Sequence, residues 1–450
     1  MTRFASRRGT VAARIRLTAI AAAGAFVAGS LVPVAGVVSP AYATTTSPST
    51  TTATSLYESN WSDLMGIAMA SRLTQTDTGP YGPRLGELRY SGEWARNQII
   101  DYSAFFRDET NSVKYNQIND FESDLWYDSS GAAVQTYGTY DGNATPVQAT
   151  RSYLAVPGQP FMVVKYSATN LTGSALDWNV LDQIHLNNPS RPSGSVSGSW
   201  DSGRNAMFGD LTSVGGGVVV LGAFQTADSH QIGDDTESNL AQADVSPWFQ
   251  FDDSGTLGNN GSVTAADVTM AFQDSVTIAA SSTVDLCYFV TVRSSVGAAQ
   301  SAADAAAGHT CSYWFTQSES SWDSWLGAGV QPDSGDDGVD QAYNVGLMTI
   351  KQMQNPTIGG IPATSNPASY GYKVWARDAS VTAMGLDASG HHDEAEAYWR
   401  WMASVQKVDG SFNTTFDLWT GSVVSFVEPE HDSLGMFLLG AYRHYLQTSD

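Results

Sequence analysis

At 450 residues, with a formal net charge of −23 and only two cysteines, the chain has the length of two domains and is no disulfide-stapled miniature fold. So acidic a surface excludes nucleic acid and anionic membrane as natural partners and favours a neutral ligand. Aromatic residues at 11% against only 15% charged residues fit a protein that lines a cleft with rings.

Residues 1–43 carry Arg3, Arg7, Arg8, Arg14 and Arg16, no acidic residue, an apolar run over 17–38, and Ala41-Tyr42-Ala43. This is the pattern of a removable export signal, and the Arg7–Arg8 pair fits either general or twin-arginine export. The expected location is extracellular, with no membrane segment in the mature form. Removal of those five positive charges takes the net charge from −23 to −28. Residues 44–55, nearly all Thr, Ser and Ala, read as a disordered spacer.

From 56 to 295 the sequence reads as strand after strand. The β-branched and aromatic runs 161–166, 217–224, 268–272 and 284–292 are separated by turn clusters such as Asp141-Gly142 and Asn259-Asn-Gly-Ser262. Antiparallel sheets packed face to face are the expected architecture. Trp200, Trp248 and Phe249 in this region could form a glycan platform, although most rings in a large sandwich are core. Cys287 and Cys311 either form one bridge or stay as two buried thiols.

At about residue 296 the period changes. Residues 295–308 are Ala-rich and helical, and 312–327 place Trp314, Trp322 and Trp325 in a second helix. The acidic stretch 333–340 lacks the distal glutamate of a calcium loop, and capping of the next helix explains it better. Helices are then expected over 341–354, 378–388, 392–406 and 430–446. His391, His392 and His431 give no metal pattern: adjacent histidines at a helix start cannot share one face, and no pair stands at i, i+4.

Between the first two of these helices runs Tyr370-Gly-Tyr372-Lys-Val-Trp375-Ala-Arg377-Asp378. Flat rings can stack on a pyranose, while a guanidinium and a carboxylate donate to and accept from its hydroxyls. A carboxylate at a helix start also satisfies free backbone donors, so Asp378 can equally cap a helix that begins at Ala379.

That segment, with Gly359-Gly-Ile-Pro-Ala-Thr-Ser-Asn-Pro367 before it and Asp409-Gly-Ser-Phe412 and Glu430-His-Asp-Ser-Leu-Gly-Met-Phe-Leu-Leu439 after it, resembles the start of the catalytic domain of glycoside hydrolase family 15 in order and spacing. The family holds glucoamylases, glucodextranases and related exo-acting α-glucosidases. The resemblance implies a multidomain β plus α fold: a large antiparallel β-sandwich over 56–295, a helical linker over 296–335, and the first part of an (α/α)6 toroid of the six-hairpin glycosidase type over 336–450. It implies that Arg377 and Asp378 grip the terminal glucose, that Trp375 and Tyr372 wall its pocket, and that Asp432 stands at the rim. No cofactor is expected, and the partner is an α-glucan or oligosaccharide bound by a monomer.

Hydrolysis with inversion needs two carboxyls about 6.5–9.5 Å apart. In the family both are glutamates on loops after later helices, so they are expected beyond Asp450 and the chain is expected to be a fragment. Phe426-Val-Glu428-Pro-Glu430 is the nearest acidic cluster within it. A trehalase or other α-glucosidase of the family, and a carbohydrate-binding protein without turnover, are the alternative readings.

Overall fold

The computed structural model describes residues 55–62, 67–74, 84–90, 96–115, 121–122, 125–140, 142–234, 246–364, 370–424, 426 and 431–449. The expected export signal, and the spacer up to residue 54, lie outside the described residues.

Two antiparallel sheets occupy the first part of the chain. One runs Ser55–Ser62, Ile67–Thr74, Arg84–Tyr90, Ile99–Asp108, Leu176–Leu186, Val268–Ile278 and Ser229–Asp234, with Val113–Tyr115 added on Ile99–Asp108. The other runs Ser262–Ala265, Val196–Asp201, Ala206–Asp210, Val218–Ala223, Thr283–Arg293, Met162–Asn170, Asn143–Ala155, Ala133–Tyr140 and Phe121–Glu122, with Leu125–Tyr127 beside Ala133–Tyr140. Strand period 2 decides what each face meets. On Met162–Asn170, residues Met162, Val164, Tyr166 and Ala168 enter the core between the sheets, against Phe106, Val180 and Phe272 of the first sheet. Val163 points the other way and is buried too, because helices cover that outer face.

Those helices explain the apolar runs. Helix α1 (Pro247–Ser254) covers Phe105 and Leu181 on the first sheet through Phe251. Helices α2 (Val296–Ala307) and α3 (Cys311–Ala328) cover the second sheet. Ser295 and Thr310 cap them, each side-chain oxygen accepting a backbone N–H at 3.3 Å. Ala299, Ala303 and Ala306 let α2 lie close on Phe208, Val218 and Phe289, and Trp314 and Phe315 extend the layer. Cys287 on the sheet and Cys311 at the start of α3 are disulfide-bonded, which decides between the two readings of these cysteines.

Between the sheets lies an ionic cluster. Arg151 and Asp182 pair with both side chains almost wholly buried, Tyr102 donates its hydroxyl to Asp182 at 2.6 Å, and the rings of Tyr102 and Tyr153 face the guanidinium. Nearby Asp274 accepts from Tyr288 at 2.6 Å and Gln225 at 3.2 Å. Burial nevertheless pushes its carboxyl up to about 6.

Helix α3 then joins two cores. Its Trp314 and Phe315 belong to the sandwich, while Trp322 and Leu326, about two turns on, belong to the helical part. Gly131, at φ 78°, turns a sandwich hairpin directly onto Trp322, where a Cβ would lie 2.1 Å from the indole nitrogen. Ser318 donates to the Ser130 carbonyl at 2.6 Å beside it. The linker expected over 296–335 is thus an outer layer of the sandwich as well.

The helical part contains α4 (Asp337–Met353), α5 (Ala376–Ala388), α6 (His392–Ser404) and α7 (His431–Thr448). Asp336 caps α4 by accepting from Gly338 at 2.9 Å and Val339 at 3.4 Å, so the acidic run works as a cap. Helix α5 packs on both α6 and α7, with Ala379, Ala383 and Leu386 against Tyr398, Trp399 and Phe437. Gly440 lets α7 meet Trp399, whose ring would lie 2.1 Å from any Cβ there. Along α7 the residues Leu438, Leu439, Tyr442, Tyr445 and Leu446 remain 43–61% exposed.

Candidate functional site

Local sequence places the site at a strand-to-helix junction. The strand Lys373–Trp375 pairs with Thr415–Asp417, which pairs with Val423–Val424. The chain leaves that strand directly into α5, with Trp375 as N-cap and no side-chain cap bond. The helix therefore starts a turn before the Ala379 expected from sequence. Asp378 lies inside its first turn and is not its cap, a correction that frees the carboxylate for other partners while keeping it where the helix dipole favours a negative charge.

Asp432 occupies the equivalent place on α7, in the first turn. Arg377 joins the two helix starts: Nη1 donates to Asp432 Oδ2 at 3.1 Å and Nη2 to Asp378 Oδ2 at 3.2 Å. The three side chains are 39%, 46% and 42% exposed for Arg377, Asp432 and Asp378. Ion pairs so open to water contribute only about 0–1 kcal/mol each, so fold stability does not account for this arrangement. What it does supply is a fork of donors between two acceptors, open to a ligand.

Beside it stands an aromatic wall. Trp375 is 9% exposed, and its ring is met edge-on by Tyr370 at 5.7 Å and Phe426 at 4.7 Å, which are themselves 51% and 46% exposed. The buried indole N–H of Trp375 has no acceptor among the described residues. Phe426 escaped the sequence reading as a wall residue; an isolated ring in an acidic loop was the signal available for it.

Tyr372, the other ring expected at the wall, has its own set of contacts. Its hydroxyl donates to the Glu87 carboxylate on the strand Arg84–Tyr90, its ring packs on Trp419 at 4.9 Å, and the Arg89 guanidinium lies 5.3 Å from the ring centre. Tyr372 thus ties the site's small sheet to the sandwich. The other motif residues build the scaffold. Gly359, at φ 68°, sits on the α6 backbone, where a Cβ would lie 2.3 Å from Ala397. Asp409 closes a turn by accepting from Ser411, and Phe412 packs on Phe437. Residues 365–369, and Glu428 and Glu430 with them, lie outside the described residues.

A second polar group was missed in sequence. Asp387 at the end of α5 accepts from His444 of α7 at 2.7 Å, His392 of α6 at 3.0 Å and Trp399 of α6 at 3.0 Å. The Asp387, His392 and His444 ligand atoms lie within 4.8 Å of one another, a grouping that could also hold a metal ion. Three helices supply it, so no short-range spacing announces it. Each contact has hydrogen-bond length, and together they pin the three helices at the end of α5 away from Arg377 and Asp378.

The fold so described is a β plus α, glycosidase-like one. No protein-family model matches this chain, and none of the curated proteins matches it. Among solved structures it is similar to a bacterial glucoamylase complexed with acarbose, at a TM-score of 0.60 and 12% identity over 87% of this chain and 55% of that one. A putative kojibiose phosphorylase from human microbiome matches at a TM-score of 0.47 and 11% identity, over 88% of this chain and 50% of that one. The chain therefore spans about half the length of both. At such identity the likeness to the glucoamylase bears on fold alone.

Proposed function

We propose that this protein recognises the non-reducing end of an α-glucan and belongs to an exported, exo-acting glycoside hydrolase of the glucoamylase type, working with inversion. The observation that carries this reading is the Arg377 fork between Asp378 and Asp432, set beside the Trp375 wall at two converging helix starts. A terminal glucose would stack on the wall and place its 4- and 6-hydroxyls on the fork, with charge-assisted bonds that a sugar lacking those hydroxyls could not make. The resemblance of 359–439 to family 15 and the glucoamylase-like fold support it. The domain division at about 296 and 336, and export by residues 1–43, belong to the same proposal.

A reading in which the chain binds sugar without turnover has one observation in its favour. Both carboxylates at the grip accept from a single guanidinium, a use suited to holding hydroxyls rather than delivering a proton. Oligosaccharides blocked at one end test the exo reading. Maltotriose reduced to its alditol should bind as well as maltotriose, and a 4,6-O-benzylidene cap on the non-reducing glucose should abolish the part of the binding that Asp378→Ala removes. Equal binding of the capped sugar would sink the reading, and glucose released as the β-anomer would favour hydrolysis over binding alone.

A further inference from the structure

The sandwich holds a groove that the proposed grip does not use. It encloses about 770 Å3 where both sheets meet the corner between α2 and α3, and is lined by Trp200, Arg204, Phe224, Thr226, His230 and His309 among others. This is the size of a small-molecule site, ~300–1,000 Å3.

Its chemistry narrows the ligand. Trp200 lies flat on His230 with ring centres 4.0 Å apart and planes 21° apart, and His309 lies on Tyr313 at 3.9 Å and 14°. Aromatic rings therefore line the groove, with Trp200 and His230 each turning one face to the other. Nε2 of His230 contacts the Asn260 carbonyl at 3.1 Å, which only accepts, so Nε2 carries the proton and Nδ1 is left as an acceptor. Burial holds this imidazole below its usual range, so it is neutral at pH 7. Arg204 is taken up by Asp201 at 2.7 Å and Asp304 at 2.8 Å, which leaves a rim of donors and acceptors with its positive charge already balanced. In a chain of net charge −23 such a rim does not select an anion. The disulfide at Cys311 holds the floor to the sheet. Trp248 and Phe249, grouped with Trp200 in the sequence reading, lie on α1, Trp248 against Phe105 and Phe249 against Trp248, and do not line the groove.

We infer that this groove is a second carbohydrate site, taking an uncharged oligosaccharide of two or three units by ring stacking, independently of the grip at Arg377. The test is calorimetric titration of the full chain with maltotriose and isomaltotriose. The variants are Asp378→Ala, His309→Ala and Thr226→Trp, the two groove substitutions made both alone and on Asp378→Ala; Thr226→Trp fills the groove from an exposed position and spares Trp200, which packs against the core. Binding that persists in Asp378→Ala and weakens at least tenfold when either groove substitution is added to Asp378→Ala, with an unchanged circular dichroism spectrum, is the expected result. Loss of all binding in Asp378→Ala, or residual binding that ignores both groove substitutions, would overturn it. Sensitivity to Thr226→Trp without sensitivity to Asp378→Ala would leave the groove standing and remove the grip.

Discussion

Arg377 and Asp432, 55 residues apart in sequence, share a hydrogen bond of 3.1 Å that spans the first turns of α5 and α7. The same guanidinium also holds Asp378, so its planar fork sets the spacing of two carboxylates. A lysine cannot do this, because an ammonium is a point charge without a fork. In the Thr226→Trp background, Arg377→Lys is therefore expected to weaken maltose or isomaltose binding about tenfold or more, equivalent to ~1.4 kcal/mol. Because the side chain is 39% exposed, the melting temperature should hardly move. Calorimetry and thermal melts on the same sample check both.

Arg151 and Asp182 make the opposite prediction. Both are buried between the sheets, and Nη2 of Arg151 holds Asp182. Asp182→Ala leaves an uncompensated cation and should cost about 3–5 kcal/mol. Replacing both residues, as Arg151→Met with Asp182→Leu, removes both desolvation costs and should recover most of that loss, the remainder being about 1–3 kcal/mol for the orphaned Tyr102 hydroxyl. Urea midpoints of the single and double variants distinguish the two effects.

Asp274 predicts a pH dependence. Burial raises its carboxyl from 3.8 to about 6, so the folded protein holds this proton more tightly than the unfolded chain. The folded state is favoured by this group below about pH 4, and that contribution is lost as pH rises towards 6. Asp274→Asn keeps an oxygen for Tyr288 and Gln225 and removes the charge. It should stabilise at pH 7.5 by ~1–3 kcal/mol and do little at pH 3.5, read as the difference between variant and unaltered protein.

The Cys287–Cys311 bond closes a loop of sequence separation 24 between the second sheet and α3. Chain entropy gives such a loop about 3 kcal/mol. Reduction, or Cys287→Ala with Cys311→Ala, should lower stability by that order while leaving far-ultraviolet circular dichroism unchanged.

Much of the sandwich was legible because its code is local. The run read over 217–224 is the strand Val218–Ala223, and the Ala-rich helix lies between Ser295 and Gly308, both visible as cap residues. The start of α5 was not legible, since Trp375 is no capping residue and tertiary packing, not propensity, sets it. The neighbouring of Ile99–Asp108 and Leu176–Leu186, the Arg377–Asp432 bond and the Asp387–His444 bond join residues many tens apart. No periodicity encodes such pairings. The tie from Tyr372 to Glu87 was illegible for the same reason: the two lie 285 positions apart.

The most direct test of the grip is titration of Asp378→Ala with maltose and isomaltose beside the unaltered protein, with the Thr226→Trp background used in both to silence the groove. Asp378 makes no helix cap, so the variant should fold and melt like its parent. The account predicts saturable binding in the parent and a loss of at least tenfold in Asp378→Ala. Equal affinity in the two proteins would contradict it.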